Sequence, residues 1–219
     1  MASRSALKSL AVQASHYSLT SLFTVLAGVV TFPLLTRVFS VGDYGIMNLV
    51  AATLTVSVAL GKVGVQHSIL RYQSEITAGK GRYTMPQLYA TTQLGMLGTA
   101  FFVMLAVGIG ALVVPISWLG DERVRRLFSI ASFLIIVQVA ESAFVNFLRA
   151  EQQTKLLMQY QVAKKYLGLG LILLAVLVLS GTLTSFYAAT LVTEATAVAV
   201  LAVILYRTGS RPLPALAQF

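Results

Sequence analysis

Three charges sit where a charge is expensive. Lys62, Glu141 and Glu194 each lie inside a long stretch that is otherwise almost free of charge. At the centre of a membrane-spanning helix such a residue costs roughly 2.5–3.5 kcal/mol on insertion scales, so it normally faces a cavity or a partner. Carboxylates and an ammonium in that setting can pair with each other, bind a proton or a cation, or hold a polar solute. Bond-making chemistry finds no support. The chain has no HExxH, no Gly-rich loop ending in GK[ST], no DxD-like metal cluster and no Ser-His-Asp set that its loops could assemble. Gly168-Leu-Gly170 lies inside an apolar helix and reads as a packing feature rather than a phosphate loop. There are no cysteines, which removes disulfides, thiolate metal sites and cysteine nucleophiles. No catalytic residue, metal or cofactor is expected.

The neighbours of these charges fall into stripes at about 100° per residue. Asn48, Thr55, Lys62 and Gln66 share one side of a second helix. Gln138, Glu141, Ser142, Asn146 and Arg149 lie within one sector of a fourth. Tyr187, Thr190 and Glu194 align on a sixth, and Gln13, His16, Thr20, Thr24 and Thr31 on a first. A fifth helix shows no such stripe and reads as lipid-facing on most sides. The Thr and Ser positions are expected to hydrogen-bond across helix contacts, each worth about 1 kcal/mol or less. His16 is expected to be a hydrogen-bonded packing residue. Glue does not need a charge, so Glu141 and Glu194 point to a cavity. Lys62 and Glu141 lie at depths that allow them to pair.

The elements that position these stripes follow from composition. The 219 residues are 57% hydrophobic and 11% charged, and the mean hydropathy is +0.82. A soluble domain carries roughly 25% charged residues, so this chain could not cover a water-facing surface. A spanning helix needs about 20 mostly apolar residues. The uncharged stretches supply six: Leu10–Thr36, Tyr44–Gln66, Leu88–Val114, Leu127–Leu148, Tyr166–Ser180 and Ser185–Tyr206. The fold class is all-α, a polytopic membrane bundle of six transmembrane helices. The first stretch stays uncharged from Lys8 to Arg37, far beyond the roughly 7–15-residue core of a signal peptide, and reads as an uncleaved helix.

The net charge of +9 sits in short connections rather than on one folded face, so no nucleic-acid partner is expected. It sets orientation instead. Arg4, Lys8, Arg71, Lys80, Arg82, Arg149, Lys155, Lys164, Lys165, Arg207 and Arg211 fall on the side of the termini, against Arg37, Arg123, Arg125 and Arg126 on the other. Both termini are therefore expected in the cytoplasm.

Thr36-Arg-Val-Phe-Ser-Val-Gly-Asp-Tyr-Gly45 resembles the first periplasmic turn of the polysaccharide and O-antigen flippases, in the multidrug/oligosaccharidyl-lipid/polysaccharide exporter superfamily. Gly61-Lys-Val-Gly64-Val-Gln-His-Ser-Ile-Leu-Arg71-Tyr72 is similar to that family's second-helix exit, and Phe147-Leu-Arg149-Ala-Glu-Gln-Gln to its fourth-helix exit. Tyr160 onward is similar to its fifth and sixth helices, so the resemblance covers nearly the whole chain. It implies movement of an undecaprenyl-pyrophosphate-linked oligosaccharide across the bacterial inner membrane. The mechanism implied is alternating access between two lobes, of which residues 1–206 are the N-terminal one and 207–219 a cytoplasmic tail or a truncated linker. The implied partners are the lipid-linked oligosaccharide, membrane lipids, and a second lobe in a longer chain or another copy. Arg71 and Arg149 are the implied phosphate contacts, and Lys62, Gln66, Gln138, Glu141 and Glu194 complete the candidate pathway. Two other readings stand beside this one: a cation- or proton-coupled small-molecule antiporter of the same superfamily, and a membrane scaffold of a polysaccharide-assembly complex that transports nothing itself.

Overall fold

The structure is a computed structural model that describes residues 2–65, 72, 75–76, 85–115, 117 and 121–207. Every regular element among them is helical. The helices are α1 (Ala2–Val38), α2 (Val41–Lys62), α3 (Met85–Val113), α4 (Glu122–Ala150), α5 (Thr154–Leu174) and α6 (Leu183–Arg207), with a π-helical turn, Ala175–Leu179, extending α5. Six helices among the described residues are long and apolar enough to cross a membrane. The expected all-α bundle is the observed fold.

The helix ends are set by local chemistry, and several differ from the sequence reading. α2 begins at Val41 rather than Tyr44, because Ser40 and Asp43 form a capping box: Asp43 N donates to Ser40 Oγ (3.2 Å) and Ser40 N to Asp43 Oδ2 (3.1 Å). It ends at Lys62, not Gln66. Val63 (φ 45°) and Gly64 (φ 67°) turn left-handed there and break the ladder. α4 begins at Glu122 rather than Leu127. Asp121 caps it by accepting from Arg123 N (2.8 Å), so Arg123, Arg125 and Arg126 belong to its first turns and not to a loop. The hydrogen bonds from Arg123 hold the Asp121 carboxyl below its ordinary range. α5 begins at Thr154, not Tyr166. The segment read as polar is rich in Lys, Gln, Leu and Met, all good helix formers.

α4 is the hub, packed against α2, α3, α5 and α6. α1 packs on α5, and α5 on α6. Consecutive α1 and α2 do not pack along their lengths. The result is a horseshoe, α1–α5–α6–α4–α2, open between α1 and α2, with α3 outside against α2 and α4. Arg123 locks the closed end. Its guanidinium spans Asp43 at the start of α2 (3.0 Å) and Asp121 (2.7 Å).

Small residues let the backbones approach where no hydrophobic drive exists between helices. A Cβ on Gly61 would lie 3.0 Å from Val139 Cγ2 and 3.4 Å from Ala100, and Thr99 Oγ1 donates across the same contact to Gly61 O (2.7 Å). Gly61→Leu is expected to destabilise the bundle by about 1–3 kcal/mol. Gly95→Ala, with open space at its Cβ, should leave the thermal midpoint in detergent unchanged. Equal midpoints for the two variants would remove this contact from the account.

Candidate functional site

The polar stripes converge on the inside of the horseshoe. A cavity of about 340 Å³ is lined by Lys62 from α2, by Gln138, Glu141, Ser142, Asn146 and Arg149 from α4, by Gln161 and Lys164 from α5, and by Glu194 from α6. It shares Glu141, Gln161, Lys164 and Glu194 with a larger space of about 770 Å³ that continues between α1, α2, α5 and α6. That space adds Thr24, Thr31, Tyr44, Asn48, Lys165, Tyr187 and Thr190. So Lys62, Gln138, Glu141, Arg149 and Glu194 share one cavity. Gln66 and Arg71 lie outside the described residues.

At the centre stands a residue the sequence reading placed in a loop. Lys164 Nζ is 2.6 Å from Glu141 Oε2 and 2.6 Å from Glu194 Oε2, and all three side chains are largely buried. Glu141 pairs with Lys164, therefore, and not with Lys62. Tyr160 completes the arrangement by donating its hydroxyl to Glu141 Oε1 (3.0 Å). At 1.5 Å per residue, Glu141 lies about 13 Å from the end of α4, and Lys164 about 15 Å from the start of α5. Both therefore lie inside helices long and apolar enough to cross a membrane, Glu122–Ala150 and Thr154–Val178. α5 does carry a polar face, through Gln161, Lys164, Lys165 and Gly168, so it is not the lipid-facing helix expected. The signal in the sequence was the spacing of these residues at three and four, the spacing of one helix side.

Ion pairing is confined to the centre and leaves the rim uncommitted. Neither Lys62 nor Arg149 forms an ion pair among the described residues. Arg149 is exposed at the mouth and Lys62 is half-buried. Asn146 Nδ2 is buried on the same wall and has no hydrogen-bond partner. Two free cations beside neutral amides form a polar pocket that can accept an anion without first breaking a salt bridge.

The threonines do something other than expected. Thr20, Thr24, Thr31, Thr190 and Thr193 donate to the carbonyl four residues back in their own helices, at 2.7–2.8 Å. They satisfy themselves locally instead of gluing helices together, which frees Thr24, Thr31 and Thr190 to line the cavity. Cross-helix bonds come instead from Thr99, from Tyr187 to Met47 O (3.2 Å), and between His16 Nδ1 and Thr154 Oγ1 (3.0 Å). His16 is thus the packing residue expected.

Compared with known families, residues 11–217 match the model of the polysaccharide biosynthesis protein family. No curated protein and no solved structure matches the chain at a significant level.

Proposed function

The chain belongs to the polysaccharide biosynthesis protein family, and from that premise we propose that it flips an undecaprenyl-pyrophosphate-linked oligosaccharide across the bacterial inner membrane by alternating access. That it is a multi-pass membrane protein of polysaccharide biosynthesis follows from the match and the six spanning helices. The flipping step rests on the cavity. The observation that carries it is the pair of uncommitted cations, Lys62 and Arg149, facing a polar space that also offers the amides of Gln138, Asn146 and Gln161 and the hydroxyl of Ser142, with the Glu141–Lys164–Glu194 cluster at its inner end. Cations and amides at the mouth suit a pyrophosphate, and the larger space beyond suits sugars. No bond need be made or broken, so the role is transport rather than catalysis.

The open side between α1 and α2 exposes Thr24, Asn48, Thr55 and Lys165. Alternating access requires two bodies moving about a midplane site. In this reading the six helices are one body, and a second lobe, from a longer chain or another copy, closes that side. The basic residues at the Arg149 and Arg207 ends support a cytoplasmic location for those ends. With no native cysteine, Val41→Cys, at an exposed position beside the α1–α2 turn, should react with an impermeant thiol reagent on intact cells. Glu151→Cys should react only after permeabilisation, and the reverse pattern would invert the topology.

Substrate protection tests the reading itself. Gln138→Cys in membranes should be labelled by a water-soluble maleimide, and lipid-linked oligosaccharide should slow that labelling several-fold while a phospholipid with a zwitterionic head should not. Equal rates with and without the sugar lipid would sink the proposal.

A further inference from the structure

We propose that Glu194, within the Glu141–Lys164–Glu194 triad, binds a single proton, and that Lys164 bars alkali cations from the site. What the proton does for transport rests on the reading above; its binding does not.

The charges do not balance. Two carboxylates share one ammonium, so the fully ionised triad carries one net negative charge at membrane depth. The carboxylates are also unequal. Glu141 accepts from Tyr160 (3.0 Å) and from Lys164 (2.6 Å). Glu194 has Lys164 Nζ 2.6 Å from its Oε2, but off the direction of a hydrogen bond, and that oxygen is buried with no hydrogen-bond partner among the described residues. Glu194 is the carboxylate left short. Other groups face the cavity: Lys62 from α2, Arg149 from α4, Lys165 from α5, and the phenols Tyr44 and Tyr187, while the Tyr160 phenol is held on Glu141. His16 on α1 is tied to Thr154. None of the three additional cations pairs with either glutamate among the described residues.

A metal ion would need a cage of several oxygens. The point between the carboxylates is already held by Nζ, 2.6 Å from each, and an ammonium repels a second cation. A proton needs one oxygen and no cage. Hydronium at the cavity mouth delivers it: an O–H bond of the hydronium breaks to leave water, and one O–H bond forms on Glu194. The triad is then neutral: Lys164 keeps Glu141, and α6 loses its charge tie to α5. In a transporter, that release is a switch between two packings.

Two binding measurements on the full chain in lipid nanodiscs test this, and neither involves transport. In difference infrared spectra on acidification at constant ionic strength, the wild type should gain a protonated-carboxyl band that Glu194→Gln abolishes and Glu122→Gln, at an exposed position, retains. Thermal midpoints of the wild type should be equal in sodium, potassium and choline chloride at matched concentration. Lys164→Gln opens the carboxylate pair and should gain a sodium-dependent rise of several degrees. If Lys164→Gln does not fold, the wild-type comparisons still decide. A missing band, a band that survives Glu194→Gln, a sodium-dependent rise in the wild type, or a folded Lys164→Gln indifferent to sodium would each overturn the proposal.

Discussion

Lys164→Met should produce the largest loss of stability of any single substitution in this bundle. The change removes the one cation that touches both Glu141 and Glu194, each 2.6 Å away, and leaves two carboxylates facing each other across helices α4 and α6. Removing one partner of a buried ion pair costs about 3–5 kcal/mol, because the remaining charge stays desolvated. For a chain of this size that corresponds to about 10 °C or more in the thermal midpoint. Neutralising the whole triad, as Lys164→Met with Glu141→Gln and Glu194→Gln, should recover most of the loss, since no charge is then stranded. Detergent-solubilised protein followed by fluorescence-detected size exclusion after heating reads both. A single variant as stable as the wild type would mean that the triad is not formed in the membrane.

The second large effect falls on function and spares the fold. Lys62→Gln with Arg149→Gln should reduce surface polysaccharide about 100-fold or more. Each cation is uncommitted in the structure, so removing both strands no partner, and the amount of protein in the membrane should not change. Charge-assisted hydrogen bonds are worth about 1.5–3 kcal/mol each, and two of them to a pyrophosphate give that magnitude. Immunoblots of cell-surface polysaccharide beside membrane levels of the variant separate the two readouts. Normal polysaccharide in the double variant would move the substrate contacts elsewhere.

What the sequence discloses here, and what it hides, follows one physical line. Hydropathy is a property of about 20 residues at a time, so the number of spans is legible even where their ends are not. The stripes on α1, α2, α4 and α6 are also legible, because one turn angle relates residues within a helix. Partners between helices are not. Lys164 looks like part of a polar connection until Glu141 and Glu194 are seen to surround it. The sequence held a clue, since two membrane-embedded carboxylates call for a cation, but depth alone pointed equally to Lys62. The azimuth of each helix decides, and only packing around α4 sets it. The start of α4 was obscured in the same way: Arg123 reads as a loop charge until Asp43, on another helix, is seen 3.0 Å away. The hydroxyls misled through a local competition, since Thr20, Thr24, Thr31, Thr190 and Thr193 each find the carbonyl four residues back in their own helix.

The most direct test of the account is the leaflet in which the lipid-linked oligosaccharide resides. In cells lacking this chain, an impermeant glycosidase or sugar oxidant applied to spheroplasts should find almost none of the undecaprenyl-pyrophosphate-linked oligosaccharide. Supplying the wild-type chain should expose it within minutes, and supplying the Lys62→Gln, Arg149→Gln variant at the same membrane level should not. Sugar lipid that reaches the outer face in the absence of the chain, or as fast with the double variant as with the wild type, would contradict it.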